Sequence, residues 1–249
     1  MKEINDKEYF NSVEISERFH NRITTEEIIV YFEKGKIKGK KIDNEWFASQ
    51  KAIEDFIDEV LLKERTLTVG PYKIDLSNIK LDGRILDIGG GGEGIIGQFK
   101  GEQVVSIDPN KKELEESPST RDLKIVMDAK ELKFLDNSFE TITAFFTFMY
   151  IPVNDHKKIF QEIYRVLKAN GEFSLWDVII PKNINENRDI YVIKLEVKFN
   201  DELIETGYGV LWNKEQDMNY YINLGKNTGF EILKSNVENE TFFLRFRKK

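Results

Sequence analysis

The chain has 249 residues, 40% of them hydrophobic and 12% aromatic, with a formal net charge of −7. That is apolar material enough for a proper core, and length enough for one large domain or a small one joined to a medium one. A globally acidic chain is not drawn as a whole to nucleic acid or anionic lipid, and the lack of cysteine excludes disulfides, thiolate catalysis and cysteine-ligated metal centres. Residues 1–10 hold no apolar h-region, and the longest mostly apolar run, 142–153, is too short for a bilayer and contains Pro152. These features predict a cytoplasmic protein with no membrane partner.

Residues 11–62 read as a compact helical unit. Asn11 with Glu14, and Thr24 with Glu27, each set an N-cap three residues before a carboxylate, the reciprocal pattern that satisfies orphan N–H groups at a helix start. The first helix carries Val13, Ile15 and Phe19; the second carries Ile28, Tyr31 and Phe32 and stops at Gly35. Two extended stretches, 37–42 and 46–47, fold about Asp43-Asn44. A third helix from Ser49 shows Ile53, Phe56, Ile57, Val60 and Leu61 at the spacing of a core-facing stripe.

The stretch Ile28-Ile-Val-Tyr-Phe-Glu-Lys-Gly-Lys-Ile-Lys-Gly-Lys-Lys-Ile42, followed by Trp46, resembles the recognition helix and wing of the excisionase/MerR-like winged helix-turn-helix family. The resemblance implies DNA contact through residues 24–47, with Lys34, Lys36, Lys38, Lys40 and Lys41 along a basic edge. Charge weighs against it: residues 1–65 hold 12 Lys and Arg against 15 Asp and Glu. Lysines beside a hairpin also serve simply to keep an edge soluble. His20 suggests no role.

Residues 66–82 read as a linker and lead-in, broken at Gly70-Pro71. From 83 to 249 the pattern changes. Apolar runs at 84–88, 103–107, 123–127, 141–146 and 172–178 alternate with helical stretches near 93–99, 110–116 and 154–168. This rhythm predicts an α/β fold with a doubly wound, mostly parallel sheet behind the small N-terminal domain.

The most informative segment is Gly83-Arg-Ile-Leu-Asp-Ile-Gly-Gly-Gly-Gly-Glu-Gly94. A strand enters a turn whose glycines allow close approach or positive φ, and a helix follows with free N–H groups at its start. Gly89, Gly91 and Gly94 satisfy G-x-G-x-x-G, which is shared with dinucleotide enzymes and leaves an NAD-dependent oxidoreductase as a rival. Asp87 weighs against that rival, because a carboxylate repels nearby phosphates and favours a cation. The segment resembles motif I, Asp-x-Gly-x-Gly-x-Gly, of class I S-adenosylmethionine-dependent methyltransferases. It departs in one place: Glu93 stands where the third glycine belongs. Its bland role is a favourable acid in the first turn of the following helix.

Later landmarks keep the family's order. Val104-Val-Ser-Ile-Asp108 ends in an acid nineteen residues after Gly89, placed for the ribose hydroxyls, and Ile125-Val-Met-Asp128-Ala129 resembles the adenine-reading strand end. Residues 132–142 resemble the turn into strand four, with Asp136-Asn137 turning and Phe139 packed beneath. Residues 164–171 resemble the helix end before strand five, closed by Gly171. The resemblance implies a Rossmann-like methyltransferase with S-adenosyl-L-methionine as cofactor, bound through Asp87, Gly89, Gly91, Asp108, Asp128, Ala129, Phe146 and Thr147. A second implied reading is a regulator that senses the cofactor and binds DNA through its front domain.

After strand four the chain reads Phe145-Phe-Thr-Phe-Met-Tyr150-Ile-Pro152. The motif of enzymes that methylate exocyclic base amines is absent, and C5-cytosine methylation needs a cysteine nucleophile. An apolar, aromatic mouth suggests a small-molecule acceptor and no metal. Tyr150, His156 and Asp177 are the catalytic candidates near the strand ends. Residues 181–215 form a lid-like insertion, a hairpin about Asn200-Asp201 with Tyr191, Tyr208 and Trp212 as lid candidates. A helix over 218–228 and two antiparallel strands about Asn239 close the chain.

Overall fold

The computed structural model describes residues 2–4, 7–18, 23–118, 120–184 and 188–249. Phe19 and His20 lie outside them. The chain folds as two compact units, Met1–Leu67 and Thr68–Lys249.

In the first unit, strands β1 (Lys2–Ile4) and β2 (Lys7–Asn11) precede helices α1 (Ser12–Arg18) and α2 (Thr25–Glu33). The β3 (Lys40–Ile42) and β4 (Glu45–Ser49) hairpin follows, then α3 (Gln50–Phe56), a π turn (Ile57–Leu61) and α4 (Leu62–Arg65). Asn11 and Glu14 exchange side-chain to backbone bonds of 2.9 Å each, and Thr24 with Glu27 closes a second capping box. Asp43 and Asn44 both take positive φ, 49° and 68°, as a two-residue hairpin turn with the twist of its strands requires. Phe10, Ile15, Ile28, Phe32, Ile53 and Phe56 make the core. Val13, expected inside, is half exposed. The strands β1 and β2 were not foreseen; β2 pairs with β4 and extends the hairpin into a four-stranded sheet ordered β1-β2-β4-β3.

Strand β5 (Thr66–Asp75) follows, all but its first two residues in the second unit. The alternating elements follow as β6 (Ile85–Ile88), α5 (Ile95–Lys100), β7 (Val104–Asp108), α6 (Lys111–Glu116), β8 (Leu123–Val126), β9 (Phe139–Phe145), α7 (Val153–Val166) and β10 (Leu167–Val178). The chain ends through β11 (Ile190–Phe199), β12 (Glu202–Leu211), α8 (Met218–Thr228), β13 (Phe230–Glu238) and β14 (Thr241–Lys248). The main sheet runs β13-β14-β10-β9-β6-β7-β8, parallel from β10 to β8 and antiparallel at β13 and β14. Chain order reverses between β6 and β9, so a crevice opens at their carboxyl ends. The central strands are buried at successive positions, β6 throughout and β9 nearly so, as strands covered on both faces are, which is why they read as near-continuous apolar runs. Helix α7 buries Ile159, Phe160, Ile163 and Val166 against this sheet.

Two expectations are corrected here. Of the linker and lead-in expected over 66–82, residues 66–75 form a strand, since β5 is an edge strand of a separate sheet ordered β12-β11-β5. A Gly-Pro pair is tolerated there, since an edge strand can spare a ladder N–H. Gly171 does not close α7. The helix passes directly into extended Leu167, the left-handed residue is Asn170 (φ 62°), and Gly171 is small because a Cβ would stand 2.9 Å from the Glu140 carbonyl. Among the described residues no helix is long and apolar enough to cross a membrane.

Candidate active site

A cavity of about 590 Å³ fills the crevice at the reversal point, a size ordinary for a small ligand. All eight residues proposed for the cofactor line it: Asp87, Gly89, Gly91, Asp108, Asp128, Ala129, Phe146 and Thr147.

The turn after β6 is shaped by its glycines. Gly89 (φ 73°), Gly92 (φ 60°) and Gly94 (φ 55°) are left-handed, and the Gly89 and Gly90 N–H groups donate to the Ile107 carbonyl at 2.8 and 3.0 Å. A Cβ on Gly89 would lie 2.4 Å from Thr147, and one on Gly91 2.6 Å from Glu113. Glu93 is not an acid within the first turn of α5, because Gly94 forms that helix's N-cap. Its carboxylate instead accepts from the Thr206 hydroxyl of β12 at 2.7 Å.

Six carboxylates stand against one lysine in the lining. The β6–β9 register sets Asp87 beside Thr143, whose hydroxyl donates to it at 2.6 Å; burial nonetheless pushes the Asp87 carboxyl up to about 7. Asp108, at the end of β7, accepts from Asn110 N–H at 2.8 Å and is raised by desolvation. Asp128 is exposed and accepts from Lys130 N–H at 2.8 Å. Lys130 is the one cationic side chain among the described lining residues, and it is shared by Asp128 (3.5 Å) and Asp155 (3.2 Å). A cavity of this sign suits a sulfonium or ammonium and opposes a pyrophosphate.

The segment after β9 forms the opposite wall. Phe146 holds a positive φ of 50°, a strained conformation for a bulky residue, and stacks on Tyr208 of β12 with ring centroids 5.4 Å apart. The Thr147 hydroxyl donates to the Ile88 carbonyl at 3.0 Å, fastening this segment to β6. Tyr150 is half exposed, toward the cleft, and desolvation pushes its hydroxyl up to about 12, so it is a donor and not a base at neutral pH.

The other two catalytic candidates are outside the cavity. His156 is buried, and its Nε2 faces the Ile151 carbonyl at 3.1 Å while Nδ1 meets the Tyr220 hydroxyl at 3.2 Å. Burial pulls its pKa down to about 4, so the neutral ring donates from Nε2. Asp177 is fully buried and accepts from Met149 N–H (3.2 Å), Val178 N–H (2.8 Å) and Gln216 Nε2 (2.8 Å). Lys214, which the sequence did not single out, donates to the Phe148 and Ile151 carbonyls at 3.3 and 3.1 Å. These three side chains hold residues 148–151 from behind. None of the three lines the cavity, so the structure does not bring the catalytic candidates His156 and Asp177 to the crevice.

Of the lid candidates, Tyr208 enters the cavity, whereas Tyr191 and Trp212 pack on each other at the hairpin root with centroids 5.4 Å apart. Strand β11 buries Tyr191, Ile193, Leu195, Val197 and Phe199. Phe199 packs against Phe99 of α5 with centroids 5.5 Å apart, so the hairpin is seated on the domain and removing it would expose apolar surface.

Residues 86–175 match the model of a methyltransferase domain. Among curated proteins the chain is similar to the sterol 24-C-methyltransferase of Neurospora crassa, 28% identical over 167 residues (62% of this chain, 41% of that protein). It is also similar to the Aspergillus fumigatus sterol 24-C-methyltransferase, 27% identical over 174 residues (65% and 43%). The match thus spans about two fifths of the length of these relatives. Among solved structures, a SAM-dependent methyltransferase from Methanosarcina mazei aligns with TM-score 0.51 and 22% identity, over 70% of this chain and 99% of that one. A protein from Pyrococcus horikoshii aligns with TM-score 0.51 and 18% identity, over 69% and 85%; both likenesses bear on the fold. The glycine cradle that a Cβ would fill and the anionic lining fit the cofactor of such a domain. Residues 86–175 are thus a methyltransferase domain, and S-adenosylmethionine is the cofactor that its glycine cradle and anionic lining fit.

Proposed function

We propose that this chain methylates a small organic acceptor enclosed between the post-β9 segment and the β11–β12 hairpin. The observation that carries this reading is the two-sided cavity: the glycine turn and strand-end carboxylates line one side, and Gly207 and Tyr208 of β12 line the other. Bound S-adenosylmethionine supplies an electrophilic methyl group on a sulfonium. Asp108 accepts from the ribose hydroxyls, Asp128 and Ala129 meet the adenine, and Asp87 faces the cationic end beside Gly89 and Gly91. Phe146 and Thr147 border the methyl, and Phe146, Tyr150 and Tyr208 keep water from the acceptor. Transfer to a good nucleophile requires chiefly that reacting atoms be held within about 3–3.5 Å, which a fixed aromatic wall provides. The Tyr208→Ala protein is expected to bind S-adenosylhomocysteine within about threefold of wild type while turning over a small acceptor about tenfold more slowly. Full turnover in that variant would remove the hairpin from the acceptor site.

The Asp87 carboxyl gives a pH signature. Its cofactor-free pKa is raised to about 7 by burial, and a bound ammonium or sulfonium favours the carboxylate, so binding expels a proton below that pH. Affinity is expected to fall as pH drops below about 7, approaching tenfold per pH unit. In the free protein the raised pKa contributes stability at acid pH that is lost as pH rises through about 7, and the loaded protein is spared that loss. The gain in melting temperature on adding S-adenosylhomocysteine should therefore grow from about pH 5.5 to 7.5. A gain that is flat with pH would take Asp87 away from the cation.

A second reading concerns the first unit. Lys34, Lys38, Lys40 and Lys41 are exposed at the end of α2 and on the following hairpin, which favours DNA contact through residues 24–47. Glu26, Glu27 and Glu33 are exposed on α2 and oppose it. If DNA binds, the log–log salt slope should be about −0.9 per phosphate contact and flatten when Lys38, Lys40 and Lys41 are replaced by Ala. A gel-shift titration at low salt with no binding would end this reading.

A further inference from the structure

Once the cofactor has taken Asp87, Asp108 and Asp128, one lining carboxylate has a different setting. Glu93 is half-buried, accepts from Thr206 through one oxygen, and forms no ion pair among the described residues; its second oxygen has no protein partner there. The Tyr150 and Tyr208 rings line the cavity with it, and Tyr208 is backed by Phe146. The charge of Glu93 acts on both phenols; Asp87, Glu113 and Asp177 are the other carboxyl groups felt at this corner, and burial raises Asp87 and Asp177 to about 7, so those two are only partly ionised at neutral pH. Lys130, the lining cation, is already held by Asp128 and Asp155. Two neutral aromatic rings beside an unpaired carboxylate attract a cation by both the ring quadrupole and Coulomb attraction, most strongly where water is excluded. An anionic acceptor would meet repulsion from the Glu93 carboxylate.

We propose that the acceptor is an amine that binds as its ammonium between Tyr150, Tyr208 and the Glu93 carboxylate. This rests on the methyltransferase reading and names the substrate class of the same cavity. An ammonium is not a nucleophile, so one N–H bond must break with its electron pair left on nitrogen. The free oxygen of Glu93 receives that proton. Tyr150 and Tyr208 cannot, because both stay protonated at neutral pH. A sterol, the acceptor named for the two curated relatives, offers Glu93 no charge and would leave a desolvated carboxylate uncompensated.

The test is calorimetry on protein saturated with S-adenosylhomocysteine, which blocks the cofactor's own cation site. The probe is phenyltrimethylammonium, with tert-butylbenzene and benzoate as neutral and anionic controls. The cation should bind at least tenfold tighter than either control. Glu93→Gln should weaken it about tenfold while keeping the Thr206 bond, Tyr208→Phe should retain it, and Tyr208→Leu should lose it. Equal binding of tert-butylbenzene, no binding of the cation, or unchanged cation affinity in Glu93→Gln would overturn the proposal. If Glu93→Gln instead loses affinity for S-adenosylhomocysteine, Glu93 serves the cofactor and the acceptor assignment falls. Wild-type protein that fails to bind S-adenosylhomocysteine sinks the methyltransferase reading itself, and this proposal with it.

Discussion

Asp108→Ala should weaken binding of S-adenosylmethionine and S-adenosylhomocysteine by roughly 10- to 100-fold, because hydrogen bonds to a charged group are worth about 1.5–3 kcal/mol. Asp108 stands at the carboxyl end of β7, one strand from the glycine turn, with one oxygen taken by the Asn110 N–H at 2.8 Å. Its other oxygen lies beside Gly91, where a Cβ would be 3.1 Å away. Alanine removes both the acceptor proposed for the ribose and the anchor of the turn before α6. Asp108→Asn separates the two effects, since the amide oxygen keeps the Asn110 bond but loses the charge. Calorimetry should place Asn between wild type and Ala. Wild-type affinity in the Ala protein would remove Asp108 from the site.

Gly89→Val should abolish measurable cofactor binding. A β-branched residue is strongly disfavoured at φ 73°, and the new Cβ would stand 2.4 Å from Thr147. Thr147 has little freedom to retreat, because its hydroxyl is bonded to the Ile88 carbonyl at 3.0 Å. The clash therefore drives the post-β9 segment and the glycine turn apart, and both line the cavity. Gly101→Ala provides the control. It sits at a similar φ of 54° with nothing closer than 4.0 Å to its Cβ, so it carries the backbone strain without the clash. Affinity for S-adenosylhomocysteine should survive in Gly101→Ala; equal losses in both variants would mean that strain, and not the cradle, explains the result.

The parallel sheet was legible because strands buried on both faces read as apolar runs, and β6 to β9 fall close to where those runs lie. One wall of the cavity was legible because particular residue types stand at its strand ends, and Asp87, Asp108 and Asp128, separated by whole βα units, all line it. The opposite wall was not. His156 and Asp177 look like catalytic residues in a linear sequence, since position near a strand end does not say which way a side chain turns. Both turn into the protein and hold backbone groups of residues 149–151. Strand β5 was hidden by Gly70-Pro71, which reads as a break unless the strand is known to be an edge. Lys214 and the Glu93–Thr206 bond depend on contacts between residues 66 and 113 positions apart, which no local pattern encodes. The one available signal was the irregular spacing of Glu93 in the glycine motif, and it marked the residue that joins the turn to β12.

The most direct test of the central claim is a calorimetric titration of the whole chain with S-adenosylhomocysteine and, separately, with NAD. The anionic cavity, the left-handed glycine turn and the Asp87 carboxyl predict a dissociation constant for S-adenosylhomocysteine on the order of micromolar, about −8 kcal/mol, and no comparable binding of NAD. Tight NAD binding, or no heat from S-adenosylhomocysteine at millimolar concentration, would contradict the assignment of this cavity.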